Sequence, residues 1–296
     1  MGRTSTSALL PSLLLICFAG GAHAFDLGQE LKKAMEQGTQ QQAEPGRPSS
    51  SAGGGIDLGG VRGLFGFSEE EEIAIGRQAA GNLLGAAPLV KDATLQKYVN
   101  NVGRWVANQS ERPDLRWHFG VIDSNDINAF AAPGGYIFVT KGLYRLLRTE
   151  SELAGVLAHE IGHVVERHHL KILQQSQWLD LSGKLLSGAA GENQVIKNLI
   201  GNGAEIFARS LDKNAEYEAD RMAMVLAARA GYDAFGLPAV LQDIGHAAAD
   251  DSSVRLLFKT HPHPDDRLAH LGDVVGDRFD GLKGQTLEKR LYRIKP

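Results

Sequence analysis

Apolar residues recur every three or four positions in several stretches of the chain, which is the spacing of a buried helix face. The sequence Ser68-Glu69-Glu70-Glu71 opens the first of these stretches with the residues of a helix cap. A second stretch runs through residues 95–106, and a third follows the capping box Thr149-Glu150-Ser151-Glu152. The third stretch has the most regular pattern, formed by Leu153, Val156, Leu157, Ile161 and Val164.

Between the second and third helices, apolar and polar residues alternate as they do in strands. Residues 115–123 and 127–131 predict two strands, and Pro133-Gly134-Gly135 turns the chain into a third at residues 136–140. Apolar helical patterns resume further along the chain. We therefore predict an α+β fold that is mainly helical, with a small antiparallel sheet beside the helix that follows Thr149. Residues 68–296 are expected to form one domain.

The N-terminal residues predict an export signal. Arg3 precedes an apolar run from Ala8 to Ala19, and a small-x-small sequence favours cleavage after Ala24. This run is shorter than the roughly 20 apolar residues of a membrane-spanning helix. Residues 25–67 are rich in Gln, Gly, Ser and Pro and predict a flexible leader. We expect a signal peptide at 1–24 and a periplasmic mature chain that has no transmembrane segment.

Cysteine usage and charge narrow the class of protein further. The single cysteine, Cys17, lies in the predicted signal, and the bulky Ile16 before it disfavours lipoprotein processing. We therefore expect no lipid anchor at Cys17, and neither a disulfide nor a cysteine-bound metal in the mature chain. The formal net charge of −4 argues against a nucleic-acid partner.

The third predicted helix contains His159-Glu160-Ile161-Gly162-His163, an H-E-x-x-H sequence. Residues four apart lie roughly 40° from each other around a helix, so both imidazoles can reach one metal ion. Two neutral imidazoles suit Zn²⁺, and Glu160 can act as the base for a water molecule that the metal acidifies. An ordinary amphipathic helix with solvated histidines is disfavoured, because the motif falls where a helix is independently predicted. We predict one zinc ion per chain.

A zinc hydrolase site needs a third protein ligand. His169 stands at the spacing of H-E-x-x-H-x-x-G-x-x-H, but Glu166 occupies the glycine position. We therefore expect the helix to run on and carry His169 away from the metal. The other candidate is Glu216, which forms an i, i+4 pair with Asp220. Spacing alone leaves a zinc ligand and a surface acidic patch equally open for this pair, and Glu218 is predicted to be a solvated or locally paired charge.

The order of these motifs resembles a known family. His159-Glu160-x-x-His163 followed by Glu216-x-x-Ala219-Asp220 is similar to the gluzincin peptidases that include the CAAX prenyl endopeptidase and HtpX. The sequence resembles especially their soluble periplasmic branch, the beta-barrel assembly-enhancing protease type. Residues 128–140 resemble that family's edge-strand hairpin, and His261-Pro262-x-Pro264-x-x-Arg267 resembles its C-terminal His-Pro motif. The resemblance covers residues 68–275 and implies a zincin-type metalloprotease domain.

The resemblance also assigns roles to residues of this chain. Glu216 becomes the third zinc ligand, and Asp220 accepts the free ring N–H of a ligand histidine. Asn128, Ala129 and Phe130 are implied to bind the substrate backbone as an added strand. The residues alone favour a plain hairpin for this segment.

Two roles are open for His261, and the resemblance implies the first of them. It could occupy the open zinc position and hold the enzyme latent, or it could stabilise the oxyanion, for which Tyr217 and Arg267 are the other candidates. The residues alone also allow a surface His-Pro loop. For the apolar, glycine-interrupted segment 172–209, both core completion and a mobile lid over the cleft stay open.

The predicted function is a zinc-dependent endopeptidase that degrades misfolded or stalled envelope proteins in the periplasm. Its expected partners are unfolded envelope and outer-membrane proteins and, by family analogy, the outer-membrane assembly machinery. Larger relatives carry a helical-repeat domain, and we find no repeats of fixed spacing here, so recruitment through such repeats is not expected. The alternative is a chaperone-like envelope protein whose zinc site is structural or plugged by His261 and which cleaves little.

Overall fold

The computed structural model describes residues 66–175, 211–247 and 251–294. The predicted signal at 1–24, nearly all of the predicted leader at 25–67 and most of the 172–209 segment lie outside the described residues. The strands are β1 (His118–Ile122), β2 (Ala129–Ala132) and β3 (Tyr136–Thr140). The helices are α1 (Glu69–Ala86), α2 (Ala93–Ala107), α3 (Lys141–Leu146), α4 (Glu150–Val165), α5 (Lys213–Arg229), α6 (Gly236–Gly245), α7 (Arg255–Thr260) and α8 (Pro264–Val275).

Side chains cap the N-termini of the helices that carry or frame the site. Ser68 Oγ accepts a hydrogen bond from the Glu71 N–H at 3.2 Å, while the Glu71 carboxylate accepts one from the Ser68 N–H at 2.8 Å. The predicted capping box at the start of α1 is therefore confirmed. The side chains of Asp92, Thr149 and Asp212 cap α2, α4 and α5 by accepting from main-chain N–H groups of the first turn. The capping box predicted at Thr149 is formed only in part, because the Glu152 carboxylate accepts from the Arg148 N–H and not from the Thr149 N–H.

The sheet has the strand order β1-β3-β2. β2 and β3 form the predicted antiparallel hairpin, with Ala129 opposite Val139 and Ala132 opposite Tyr136. The α+β fold class is confirmed, but the sheet is mixed and not wholly antiparallel, because β1 pairs with β3 in parallel. The parallel pairing arises because β2 reverses the chain and then lies on the far side of β3.

The turn between β2 and β3 depends on glycine. Gly134 and Gly135 have φ values of 74° and 92°, which L side chains rarely adopt. A Cβ on Gly134 would also lie 2.8 Å from the Ile73 Cα, so α1 packs directly against this turn. The hairpin that borders the site is thereby held against the N-terminal helix.

Helix α4 lies at the centre of the larger hydrophobic core. Its residues from Glu150 to Val164 are buried, and α2, α5, α6 and one face of the sheet surround it. Leu153, Leu157 and Ile161 are fully buried, and burial of each such side chain stabilises the fold by roughly 1.5–3 kcal/mol. A second core fills the space between α1 and the other face of the sheet. Within the described ranges, every helix is too short or too polar to cross a membrane.

Candidate metal centre and catalytic cleft

His159 and His163 lie one turn apart on α4 and face the same point. Their Nε2 atoms are 3.0 Å apart, and their rings are perpendicular, with centroids 4.6 Å from each other. Both side chains are almost fully buried. The i, i+4 spacing thus brings two imidazole nitrogens together, as the helix geometry predicts.

Glu216 of α5 completes this group from the neighbouring helix. Its Oε2 lies 3.6 Å from His159 Nε2, and its Oε1 lies 3.6 Å from His163 Nε2. The helices approach closely because Gly162 faces Ala219, where an added Cβ would lie 3.2 Å from the Ala219 Cα. Glu216 is fully buried, and its Oε1 has no hydrogen-bond partner among the described residues.

The donor atoms of this group fit a zinc ion. One ligand atom from each of His159, His163, Glu216 and His261 lies within 4.8 Å of all the others. Two imidazoles with a carboxylate are a set of ligands that Zn²⁺ prefers in hydrolases. A carboxylate oxygen that is buried without a hydrogen bond is costly unless a cation or donor satisfies it, and a metal ion at this point would do so.

Asp220 and Arg267 contact His159 from α5 and α8. The Asp220 Oδ1 lies 2.8 Å from His159 Nδ1, and Arg267 Nε donates to Asp220 Oδ2 at 2.9 Å. Burial alone would raise the pKa of Asp220, but the Arg267 guanidinium and His159 lower it to about 2. The carboxylate is therefore ionised and accepts the His159 Nδ1–H, which leaves Nε2 for a metal. Arg267, considered above for the oxyanion, is buried against Asp220 and His159.

Glu160 lines an open cleft beside the metal group. It lines this cleft together with His163, His261 and residues 129–131 of β2. Its side chain is almost fully buried, and burial raises the pKa of Glu160 above its usual value. A carboxylate in such a setting is a stronger base than an exposed one, as general-base catalysis requires.

The three residues predicted to bind substrate occupy different positions relative to the cleft. Ala129 and Phe130 line it, whereas Asn128 is fully buried behind it. The Asn128 N–H donates to Thr140 Oγ1 at 3.1 Å, and its carbonyl accepts from the Thr140 N–H at 3.0 Å. The Asn128 side-chain oxygen accepts from the Ala129 N–H at 2.9 Å. Asn128 therefore orients the start of β2.

His261 directly follows α7 and belongs to both the metal group and the cleft lining. Its Nδ1 lies 2.8 Å from Glu216 Oε2, and only 9% of its side chain is exposed. His261 therefore does not lie in a surface loop, which was the alternative that the residues alone allowed. Tyr217, another residue considered for the oxyanion, stacks on His270 with centroids 4.0 Å apart. It is not among the residues that line the cleft in the described structure.

The end of α4 differs from the prediction. The helix was expected to run on past Glu166, but it ends at Val165, and Arg167 takes a positive φ of 55°. Arg167 pairs with the buried Glu72 at 3.1 Å, which holds this turn. Residues 168–175 then form a new helical stretch that brings His169 to the rim of the cleft. His169 is outside the group of metal-ligand atoms, although the reason predicted for this was wrong.

Sequence reasoning missed a contact that this turn creates. His168 Nδ1 lies 2.9 Å from His163 Nδ1, and His168 Nε2 lies 3.3 Å from Glu218 Oε2. Glu218 was predicted to be either a solvated or a locally paired charge, and this contact with His168 makes it the second. The only signal in the sequence was a histidine five residues after His163, which a continuous helix would place on another face.

A sequence model of Peptidase family M48 matches residues 93–275, which is more than half of the chain. The chain belongs to this family. The match includes α4, α5, α7 and α8, so every element that contributes to the metal group lies within it. The resemblance to gluzincin peptidases is therefore confirmed. The family is one of peptidases, and the donor atoms described above suit a zinc ion.

Individual proteins are also similar to the chain. The beta-barrel assembly-enhancing protease of Yersinia pestis is 32% identical over 221 residues, which cover 72% of this chain and 45% of that protein. The protein of the same name from Escherichia coli (strain K12) is 31% identical over 207 residues, or 67% of this chain and 42% of the relative. The mitochondrial metalloendopeptidase OMA1 of Arabidopsis thaliana is 27% identical over 214 residues, with coverages of 72% and 42%. The chain spans less than half the length of these relatives.

Proposed function

We propose that this M48 protein is an endopeptidase of the bacterial periplasm that hydrolyses misfolded or stalled envelope proteins. The observation that carries the proposal is the position of Glu160, which lies beside the buried metal group and lines the cleft that β2 borders. A structural zinc site has no use for a carboxylate base at an open cleft. His159, His163 and Glu216 are proposed as the zinc ligands, with one ion per chain.

The chemistry divides between the metal and Glu160. Zinc, when bound by these residues, supplies a Lewis acid for the peptide carbonyl and for the attacking water. Glu160 takes the proton from that water and later passes it to the leaving amine. Asp220 keeps the Nδ1 proton on His159, and Arg267 keeps Asp220 ionised.

The substrate is proposed to pair with β2 as an extended strand. β2 stands at one end of the strand order β1-β3-β2, and Ala129 and Phe130 line the cleft beside Glu160. Binding through the backbone gives affinity with little dependence on side chains. Asn128 contributes by orienting the start of β2. Such a site suits unfolded chains, whose backbone groups are exposed.

His261 is proposed to control or assist the reaction. Its position among the metal-ligand atoms, 2.8 Å from Glu216, supports a role as a removable fourth ligand that keeps the enzyme latent. A residue at this point could also stabilise the oxyanion once it moves off the group. Substitution by alanine separates the roles, because it should increase cleavage by removing a plug and decrease cleavage by removing an oxyanion donor.

The cellular role follows from the relatives only by analogy. Two of them are named beta-barrel assembly-enhancing proteases, which supports outer-membrane proteins as substrates and the assembly machinery as a partner. The expected export signal at 1–24 agrees with that location. A chaperone-like protein that binds such clients without cutting them is the second candidate, since His261 lies within the metal group.

Cleavage of one outer-membrane β-barrel protein, unfolded in dilute urea and folded in detergent, would test this proposal. The parent and His261→Ala should cut the unfolded form, and Glu160→Gln should cut neither form. Equal cleavage of folded and unfolded substrate would contradict the substrate class, and identical rates for the parent and His261→Ala would contradict both roles of His261. Binding of the unfolded form without cleavage by any variant would favour the chaperone-like candidate.

A further inference from the structure

The two histidines of the metal group are supported by different residues on their outer sides. His159 Nδ1 faces the Asp220 carboxylate at 2.8 Å. Among the described residues, no carboxylate contacts His163 Nδ1, which lies 2.9 Å from His168 Nδ1. A histidine that binds a metal through Nε2 carries its proton on Nδ1. The His163 Nδ1–H therefore donates to His168, whose Nδ1 must be the unprotonated nitrogen of its ring.

The tautomer of His168 is consistent with its second contact. With Nδ1 unprotonated, a neutral His168 carries its proton on Nε2. That nitrogen lies 3.3 Å from Glu218 Oε2, so it donates to a carboxylate. Each donor in the series from His163 through His168 to Glu218 thus meets an acceptor. The His168 side chain is 3% exposed and that of Glu218 is 42% exposed, so the series connects the buried centre to the surface.

The chain reaches this geometry only because α4 is interrupted. On an uninterrupted helix, residues five apart lie roughly 140° from each other, which would turn residue 168 away from His163. The positive φ of Arg167 breaks the helix, and its ion pair with Glu72 at 3.1 Å holds the break. The rings of His163 and His168 then meet with centroids 5.1 Å apart.

We propose that His168 and Glu218 are positioning residues for zinc binding, which fix the tautomer and ring orientation of His163 as Asp220 does for His159. This inference rests on the proposed ligand role of His163. Loss of a hydrogen-bond partner on the outer side of a ligand histidine typically costs 10- to 100-fold in metal affinity. The effect of Glu218 is smaller than that of His168, because Glu218 acts through His168 and is partly solvated.

Zinc affinity, measured by competition with a fluorescent chelator, tests the proposal without relying on activity. His168→Leu should bind zinc about 10- to 100-fold more weakly than the parent. His168→Gln, whose side-chain oxygen can accept the His163 proton, should recover part of that loss. Glu218→Gln should weaken binding a few-fold. Glu111→Gln is the matched control, since the Glu111 carboxylate is 59% exposed, pairs with Arg229 at 3.1 Å outside the metal group, and should leave the affinity unchanged.

Parent-like zinc affinity in a folded His168→Leu variant would overturn the proposal. If that variant does not fold, Glu218→Gln is the deciding variant, because the partly exposed Glu218 side chain can be changed without disturbing the core. A zinc affinity of Glu218→Gln within twofold of the parent would then overturn the proposal. His163→Ala separates this outcome from failure of the proposed function. Unchanged zinc binding in His163→Ala would remove the ligand role itself, whereas loss of zinc there with retention in His168→Leu would remove only the positioning role.

Discussion

The buried carboxylate of Glu72 contacts three other parts of the structure. It lies on α1 and is fully buried. Arg112 donates to both of its oxygens, at 2.7 and 3.2 Å, and Arg167 after α4 approaches at 3.1 Å. The Gly134 N–H of the β2–β3 turn donates to it at 3.1 Å. Substitution of Glu72 therefore tests whether this ion pair network holds the hairpin and the end of α4 in place.

Glu72→Gln retains the shape of the side chain but removes its charge. One acceptor oxygen becomes an NH₂ group, which would face an arginine donor and leave that donor without a partner. Loss of one member of a buried ion pair costs about 3–5 kcal/mol. Arg112 is 16% exposed and Arg167 is 40% exposed, so water will screen part of the effect. We expect the free energy of unfolding to fall by about 3 kcal/mol, the lower end of that range.

Urea unfolding of purified protein measures this loss. Glu69→Gln is the matched control, because Glu69 contacts the same Arg112 at 3.5 Å but is 59% exposed. Its free energy of unfolding should change by no more than about 0.5 kcal/mol. A loss below about 1 kcal/mol for Glu72→Gln, or equal losses for the two variants, would refute the structural role assigned to Glu72.

Three further predictions concern the metal, the pH dependence and a helix contact. Removal of zinc with a chelator should lower Tm and abolish cleavage, since a ligand of the native state stabilises it; an unchanged Tm would contradict this. Burial raises the pKa of Tyr98 and Tyr232, whose hydroxyls donate to Glu150 at 2.8 and 2.9 Å. The folded state thus favours the neutral phenols, and the urea midpoint should fall as pH rises above about 10, less steeply in Tyr98→Phe. Gly76→Ala should destabilise the protein, because the added Cβ would lie 1.6 Å from the Pro133 carbonyl oxygen in the β2–β3 turn. Gly85→Ala, in open space on the same helix, should instead stabilise the protein by up to about 1 kcal/mol. Equal Tm values for the two variants would contradict the contact between Gly76 and the turn.

Features that depend on neighbouring residues in the chain could be predicted from the sequence. Thr149 was predicted to cap a helix, and α4 begins at Glu150. The four-residue spacing of His159 and His163 leads directly to adjacent imidazoles, because helix geometry is local. The encounter of Glu216 with this pair is a tertiary contact between helices distant in sequence. For that reason the residues alone left its role open, and only the family resemblance chose between the alternatives.

Features that depend on distant contacts could not be predicted from local patterns. Arg167 takes a positive φ that is uncommon for residues other than glycine, and its partner is Glu72, about 95 positions earlier. The break in α4 and the contact between His163 and His168 follow from this pair. The parallel pairing of β1 with β3 likewise depends on which side of β3 the hairpin places β2. In both cases tertiary contacts override the local expectation.

The most direct test of the central claim is to quantify bound zinc and cleavage of unfolded casein in the parent and in Glu160→Gln. Glu160 lies beside the metal group and is not one of its members, so its replacement should leave zinc binding intact. We predict one zinc ion per chain in both proteins and cleavage by the parent alone. Cleavage by Glu160→Gln at the parent rate, or a parent that cleaves without bound zinc, would contradict the proposal that Glu160 is the base of a zinc endopeptidase.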